Sequence, residues 1–275
     1  MKKLLSGRKL TFVIMALLSV VEIYPLIYLI FFSFKDNQEI FVTNPFGLPQ
    51  KWLFSNYTSV FQNNIPRYLL NSLIVSGATI LICGLAATLA AYAIARMRWR
   101  LKGTVSTVFM LGLMVPMQAV LLPVLFTLRN LKLVNTYWAL ILPYAAFQLS
   151  LSIFVLTAFI ESIPAELEEA ACIDGATIFQ TFRSVILPLL KAPLATVSIF
   201  TFNNSWNEFM YAMTFTSSAE VKTITIGVKE FVGAFTTDWG VVGAGMVIAS
   251  LPTILFYIFF SSKVEESLVA GALKG

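Results

Sequence analysis

The sequence predicts an all-α membrane protein with six transmembrane helices. Three observations carry that expectation. Of 275 residues, 58% are hydrophobic and only 12% charged, with a mean hydropathy of +0.81, too little polar surface to cover a soluble core of this size. The apolar residues come in runs of about 20 rather than in alternation, which is the length a helix needs to cross a bilayer. Lys and Arg flank those runs, the pattern that orients membrane proteins, so the formal charge of +5 implies no nucleic-acid partner.

The elements follow in order. The first span, near 10–34, comes after Lys2, Lys3, Arg8 and Lys9. Those charges resemble the start of a secretory signal. The apolar run is long for one, however, and no small-x-small site follows, so it reads as an uncleaved span. Further spans fall near 69–95, 104–128 and 135–160, the last two separated by the polar turn "RNLKLVN". The fifth, near 185–203, is interrupted by Lys191, Pro193 and "NNSWNE", and its outer limit is the least fixed. A sixth lies near 240–261. Pro25, Pro116, Pro123, Pro143, Pro193 and Pro252 fall within the spans and predict kinks.

Six spans place both termini on one side. With that side cytoplasmic, the dense "ARMRWRLK" loop lies inside, as the orientation rule requires. Two long loops, near 35–68 and 212–239, then face out. No repeat or second domain is evident, and residues 1–275 read as a single transmembrane domain. Histidine is absent, which excludes His-based metal sites, triads and proton relays. Cys83 and Cys172 read as free thiols.

The segment 164–183, "PAELEEAACIDGATIFQTFR", stands out between the fourth and fifth spans. Pro164 suits a first helical turn, and Glu166, Glu168 and Glu169 favour the positive end of a helix. Leu167, Ala170, Ala171 and Asp174 share one face, with a patch of small residues. Gly175 supplies a residue able to adopt positive φ and end the helix, and Thr177 caps the next one. A membrane-surface helix would be rich in Lys and Arg. This one is acidic with an alanine face, so docking to a cytosolic protein is the better reading.

The stretch "EAACIDGATIFQTFRSVILP" resembles the EAA loop of binding-protein-dependent ABC importer permeases. Glu169, Ala170, Ala171, Gly175, Leu187 and Pro188 occupy the motif positions, with Val185 replacing the usual isoleucine. "NNSWNEFMYAM" and the ending "VEESLVAGALKG" are similar to the carbohydrate-uptake members, and among them to the maltose-type permeases.

That resemblance implies a MetI-like permease fold in a prokaryotic cytoplasmic (inner) membrane, surrounded by lipid, with a cytosolic EAA coupling helix. It implies a subunit that performs no chemistry and binds no cofactor, in keeping with the lack of a G-x-x-x-x-G-K-[ST] stretch. The implied partners are a second, different permease, two cytosolic ATPases that handle ATP and Mg2+, and an extracytoplasmic sugar-binding protein. Glu166, Glu168, Glu169, Ala170, Ala171, Asp174, Gly175, Leu187 and Pro188 would couple to the ATPase. The tail 263–275, through Leu268, Val269, Ala270, Gly271, Lys274 and Gly275, would contact the ATPases. Asn203, Asn204, Trp206, Asn207 and Glu208 either line a path for a hydroxyl-rich solute or join helices by hydrogen bonds.

Two other readings stay open on sequence alone. One is an ABC permease for a peptide, amino acid or phosphodiester. The other is a stand-alone secondary transporter, for which symmetry-related repeats and paired intramembrane charges are the expected signs.

Overall fold

The structure is a computed structural model, and it describes the backbone of residues 2–272 and the side chains of residues 9–261. Among the described residues every regular element is helical. In chain order these are α1 (Lys2–Phe32), α2 (Ser55–Gln62), α3 (Ile65–Arg96) and α4 (Lys102–Gly112). There follow α5 (Met117–Asn130), α6 (Trp138–Ser162), α7 (Glu166–Ile173) and α8 (Ile178–Leu189). The last are α9 (Lys191–Asn207), α10 (Met210–Phe215), α11 (Ile224–Glu230) and α12 (Trp239–Ala272).

Four helices are each long and apolar enough to cross a membrane: α1, α3, α6 and α12. Two bent pairs, α4 with α5 and α8 with α9, bring the number to six where each pair is counted as one span. The third and fifth spans, in which prolines predict kinks, are bent more sharply than a kink, by 96° and 72°. The first break has a local cause. Pro116 disfavours helical backbone at Val115, and Pro116 itself is extended at φ −69°, ψ 126°. The second falls at Leu190, whose ψ of 2° leaves the helical region. Within α8 a π turn over Phe182–Ile186 precedes Pro188. Such a widened turn relieves the clash of a proline ring with the carbonyl four residues back.

The chain divides into two compact units. The first comprises Met1–Pro66 with Gly227–Leu251. Its centre is Lys35, only 1% exposed, whose ammonium donates to the carbonyls of Asn44 (2.6 Å), Pro45 (3.3 Å) and Gly47 (2.7 Å). Glu39 holds the same loop from the other side, accepting from Asn44 Nδ2 (3.0 Å) and Gln50 N (2.7 Å). Phe34 packs against Trp52, Phe54 and Tyr57 with ring centroids 5.0–5.1 Å apart. Gly240 opens α12 so close to Lys35 that a Cβ there would run into the Lys35 carbonyl oxygen. Along α1, no residue of the most apolar 18-residue window is buried.

The second unit comprises Arg67–Ile226 with Pro252–Gly275. Here α6 is central: 61% of its apolar window is buried, more than in any other single span. One apolar cluster joins Ala87, Ala91 and Tyr92 of α3 to Ile153, Leu156 and Ile160 of α6 and to Phe182, Ile186 and Val197. A second joins Val75, Leu140 and Tyr144 to Tyr211, Phe215 and Ile226. Alanines at the α3 contact let helices approach closely, as packing without a hydrophobic driving force requires. The turn between α5 and α6 holds Asn135 at φ +64°, a conformation asparagine tolerates. Its Oδ1 accepts from the amides of Ser217 and Ser218, both at 2.9 Å.

Candidate functional site

The α7–α8 segment is built as a helix, a tight turn and a capped second helix. Three glutamates occupy the first turn of α7, complementing its dipole. Gly175 then adopts φ +82°, and the chain closes a Schellman turn. The amide of Ala176 donates to Ala171 O (2.9 Å) and that of Gly175 to Cys172 O (3.0 Å). Thr177 and Gln180 form a reciprocal capping box, with Thr177 N donating to Gln180 Oε1 at 2.8 Å. None of the residues of α7 is buried. Leu167, Ile173, Ile178 and Phe179 are exposed apolar side chains, Ile173 at 87%.

One carboxylate of this segment turns inward. Glu168 Oε1 lies 2.6 Å from Arg96 Nε, and Tyr92 Oη donates to Glu168 Oε2 at 3.0 Å. Arg96 Nη2 also donates to Ile163 O. Glu166, Glu169, Ala170, Asp174 and Gly175 are exposed, with Ala171 half-buried. Leu187 packs on the apolar cluster around Ile186, and Pro188 is exposed beside the α8–α9 bend, so these two stand apart from the outer face of α7. Leu268, Val269, Ala270, Gly271, Lys274 and Gly275 lie outside the residues whose side chains are described.

A second feature is a cavity of about 610 Å³ walled by α4, α5, α6 and α9. Asn203, Asn204, Asn207 and Glu208 line it, with Gln118, Gln148, Tyr144 and Phe147 opposite. Carboxamides beside aromatic rings offer paired donors and acceptors together with apolar faces. Gln148 is 8% exposed, and its Nε2 has no hydrogen-bond partner among the described residues. Trp206 is absent from the wall: it is buried and stacked on Phe202, centroids 5.2 Å apart. An α-helix turns about 100° per residue, so its face differs from that of Asn203 and Asn207.

Glu208 does more than line the cavity. Its carboxylate caps α10, accepting from Tyr211 N (2.9 and 3.0 Å) and Ala212 N (3.1 Å), and it accepts from Tyr144 Oη at 2.7 Å. Tyr211 itself is fully buried against Tyr144 and Phe147. Its hydroxyl donates to Met117 O, at 2.7 Å. Among the described residues no group of three or more His, Cys, Asp or Glu side chains is placed to hold a metal.

Tyr92, Arg96 and the α6 wall were not legible as site residues. Arg96 reads in sequence only as an orienting charge, and no spacing links it to a glutamate 72 positions later. The exposed Ile173, Ile178 and Phe179 had a usable signal: apolar residues in a segment that is otherwise polar.

Bent apolar spans around a polar cavity, with a capped helical segment between two of them, define a membrane transport component. The chain belongs to the family of binding-protein-dependent transport system inner membrane components, whose model matches residues 80–265. The "Probable ABC transporter permease protein YurM" of Bacillus subtilis strain 168 is 35% identical over 274 residues, covering 100% of this chain and 91% of that protein. The trehalose/maltose transport system permease protein MalG of Thermococcus litoralis is 34% identical, covering 94% of each. Among solved structures, a bacterial ABC transporter involved in import of the acidic polysaccharide alginate matches with a TM-score of 0.81 at 22% identity, over 93% of this chain and 95% of that one. The fold is thus the all-helical MetI-like permease fold.

Proposed function

We propose that this chain is one of two different permease subunits of an ATP-driven importer for carbohydrate, working as a single transmembrane domain. The observation that carries the reading is the α7–α8 segment, a capped helix pair that carries the EAA motif and leaves Glu166, Glu169, Ala170 and Ile173 exposed. A cytosolic ATPase pair binds ATP and Mg2+ and seats this segment, Gly175 fixing its turn and Leu187 and Pro188 shaping the return into the membrane. The tail 263–275 adds a second contact with the ATPases. Both termini are cytoplasmic, and an extracytoplasmic binding protein delivers the solute.

ATP closes the ATPase pair and so favours one arrangement of the permeases over the other, which it does only through unequal affinity for the two. The cavity bounded by Asn203, Asn204, Asn207, Glu208 and Gln148 forms this chain's share of the path. Its carboxamides suit a hydroxyl-rich solute, and relatives that carry trehalose, maltose or alginate support the sugar class.

The test is uptake by the source cell with and without an in-frame deletion of this chain. Radiolabelled trehalose, maltose, a chitin disaccharide and an alginate oligosaccharide are compared with a dipeptide and an amino acid. Loss of one carbohydrate alone is expected, and loss of only the peptide or amino acid would overturn the assignment.

A further inference from the structure

The attachment of α7 to the rest of the second unit is narrow. An eight-residue helix is not stable by itself, and α7 has no buried residue with which to anchor through packing. Polar contacts hold it instead. Glu168 sets one carboxylate oxygen 2.6 Å from Arg96 Nε, an ion pair whose two atoms lack the alignment of a hydrogen bond, and accepts with the other from the Tyr92 hydroxyl at 3.0 Å. Arg96 and Glu168 side chains are only 19% and 17% exposed, so this pair is shielded in a way that ordinary surface ion pairs are not.

The two α3 residues reach further. Arg96 also donates to the carbonyl of Ile163, the residue that ends α6. The Tyr92 ring lies against Phe182 of α8, centroids 5.0 Å apart. Tyr92 and Arg96 are one helical turn apart on α3, and between them they contact the end of α6, the middle of α7 and the start of the π turn in α8.

We infer that Arg96, Tyr92 and Glu168 form a strap that makes α7 and the end of α3 move as one rigid piece. The inference rests on the reading of α7 as the ATPase-docking helix. It divides the acidic face in two: Glu166 and Glu169 are left for the ATPase, whereas Glu168 faces inward and transmits. Arg96 and Tyr92 are then positioning residues for coupling, acting through Glu168 rather than by touching nucleotide or solute. Displacement of α7 by the ATPase reaches the membrane through α3 because a discrete, bonded element connects them.

The experiment places spin labels at Ala165→Cys, at the start of α7, and Leu89→Cys, on an exposed position of α3, in a Cys172→Ser background. The complete transporter with its ATPase and partner permease is reconstituted in nanodiscs, and the label–label distance is read with and without ATP and Mg2+. The strap predicts one narrow distance that ATP leaves unchanged, and a distribution that broadens and shifts with ATP in Glu168→Gln and Arg96→Met. Tyr92→Phe, which removes a single hydrogen bond without changing shape, broadens it less and guards against misfolding of the stronger variants. A residue that merely stabilised the fold would lower the yield of complex and leave the distance in the surviving complex narrow. An ATP-dependent change in the unaltered chain, or a narrow distance in all three variants, overturns the strap. Failure of the ATPase to co-purify with the unaltered chain is a different result: it overturns the docking reading itself, and the strap with it.

Discussion

Tyr144 of α6 donates a 2.7 Å hydrogen bond to Glu208, the first of the two residues that separate α9 from α10. Glu208 also caps α10 through the amides of Tyr211 and Ala212, so one carboxylate fixes both the direction of the chain after α9 and a wall of the cavity. Glu208→Ala removes the cap and leaves the Tyr144 hydroxyl without its acceptor. A loss of about 2 kcal/mol is expected from the two together. Thermal unfolding of the purified chain in detergent measures it, and Tyr144→Phe lowers the midpoint by less.

Gly175→Val forces a β-branched residue into the left-handed region, at a cost of at least about 1–2 kcal/mol concentrated in the turn after α7. No side chain or backbone atom lies within 4 Å of where the Cβ would fall, so the effect is conformational rather than steric crowding. Reduced co-purification of the ATPase at normal membrane levels of the chain is the expected outcome, and immunoblotting of both fractions checks it.

Gly240→Ala acts by the opposite route. There the added Cβ collides with backbone, the Lys35 carbonyl, and with the Asn56 side chain that bonds it. Overpacking of this kind costs about 1–3 kcal/mol. A lower unfolding midpoint and weaker protection of residues 35–56 in hydrogen exchange are the measurements, and Gly77→Ala, with open space around it, serves as the silent control.

Gln148→Leu tests the cavity. It removes a buried Nε2 that has no partner among the described residues, so it leaves the fold intact or slightly firmer. If the cavity is part of the path, solute uptake falls while assembly with the ATPase does not. Unchanged uptake kinetics in Gln148→Leu and Asn204→Leu would remove the cavity from the mechanism.

Cys172 offers a check on orientation without any mutation. It is exposed on α7, whereas Cys83 is fully buried. With the cytoplasmic orientation proposed above, a membrane-impermeant maleimide is expected to label the chain in inside-out vesicles stripped of the ATPase and to spare it in intact spheroplasts. The reverse pattern would place α7 on the outer face.

The all-helical membrane fold was legible in the sequence because its apolar residues come in long runs, and a bilayer leaves such runs few alternatives to helix. The turn after α7 was legible for a similar reason: glycine and threonine act locally, through φ and through a cap. What escaped were features that depend on distant partners. Lys35 reads as a loop charge and proves to be the caged centre of the first unit, because its three carbonyl acceptors belong to a loop whose path composition does not fix. Trp206, read with its neighbours as lining a path or joining helices, packs on Phe202 away from the cavity, a choice of face that sequence spacing left open. The bends at Val115 and Leu190 were foreshadowed by prolines, but Pro25, Pro143 and Pro252 sit inside continuous helices, so proline alone did not distinguish a break from a tolerated kink.

Because no residue in the greasiest stretch of α1 is buried among the described residues, its side chains answer chiefly to their surroundings. Scrambling their order at constant hydropathy displaces no buried side chain, although it moves local contacts such as the Ser19 hydroxyl on the Met15 carbonyl. Neutral drift therefore runs freely along this rod, and any position there that resists scrambling reports a neighbour from another molecule.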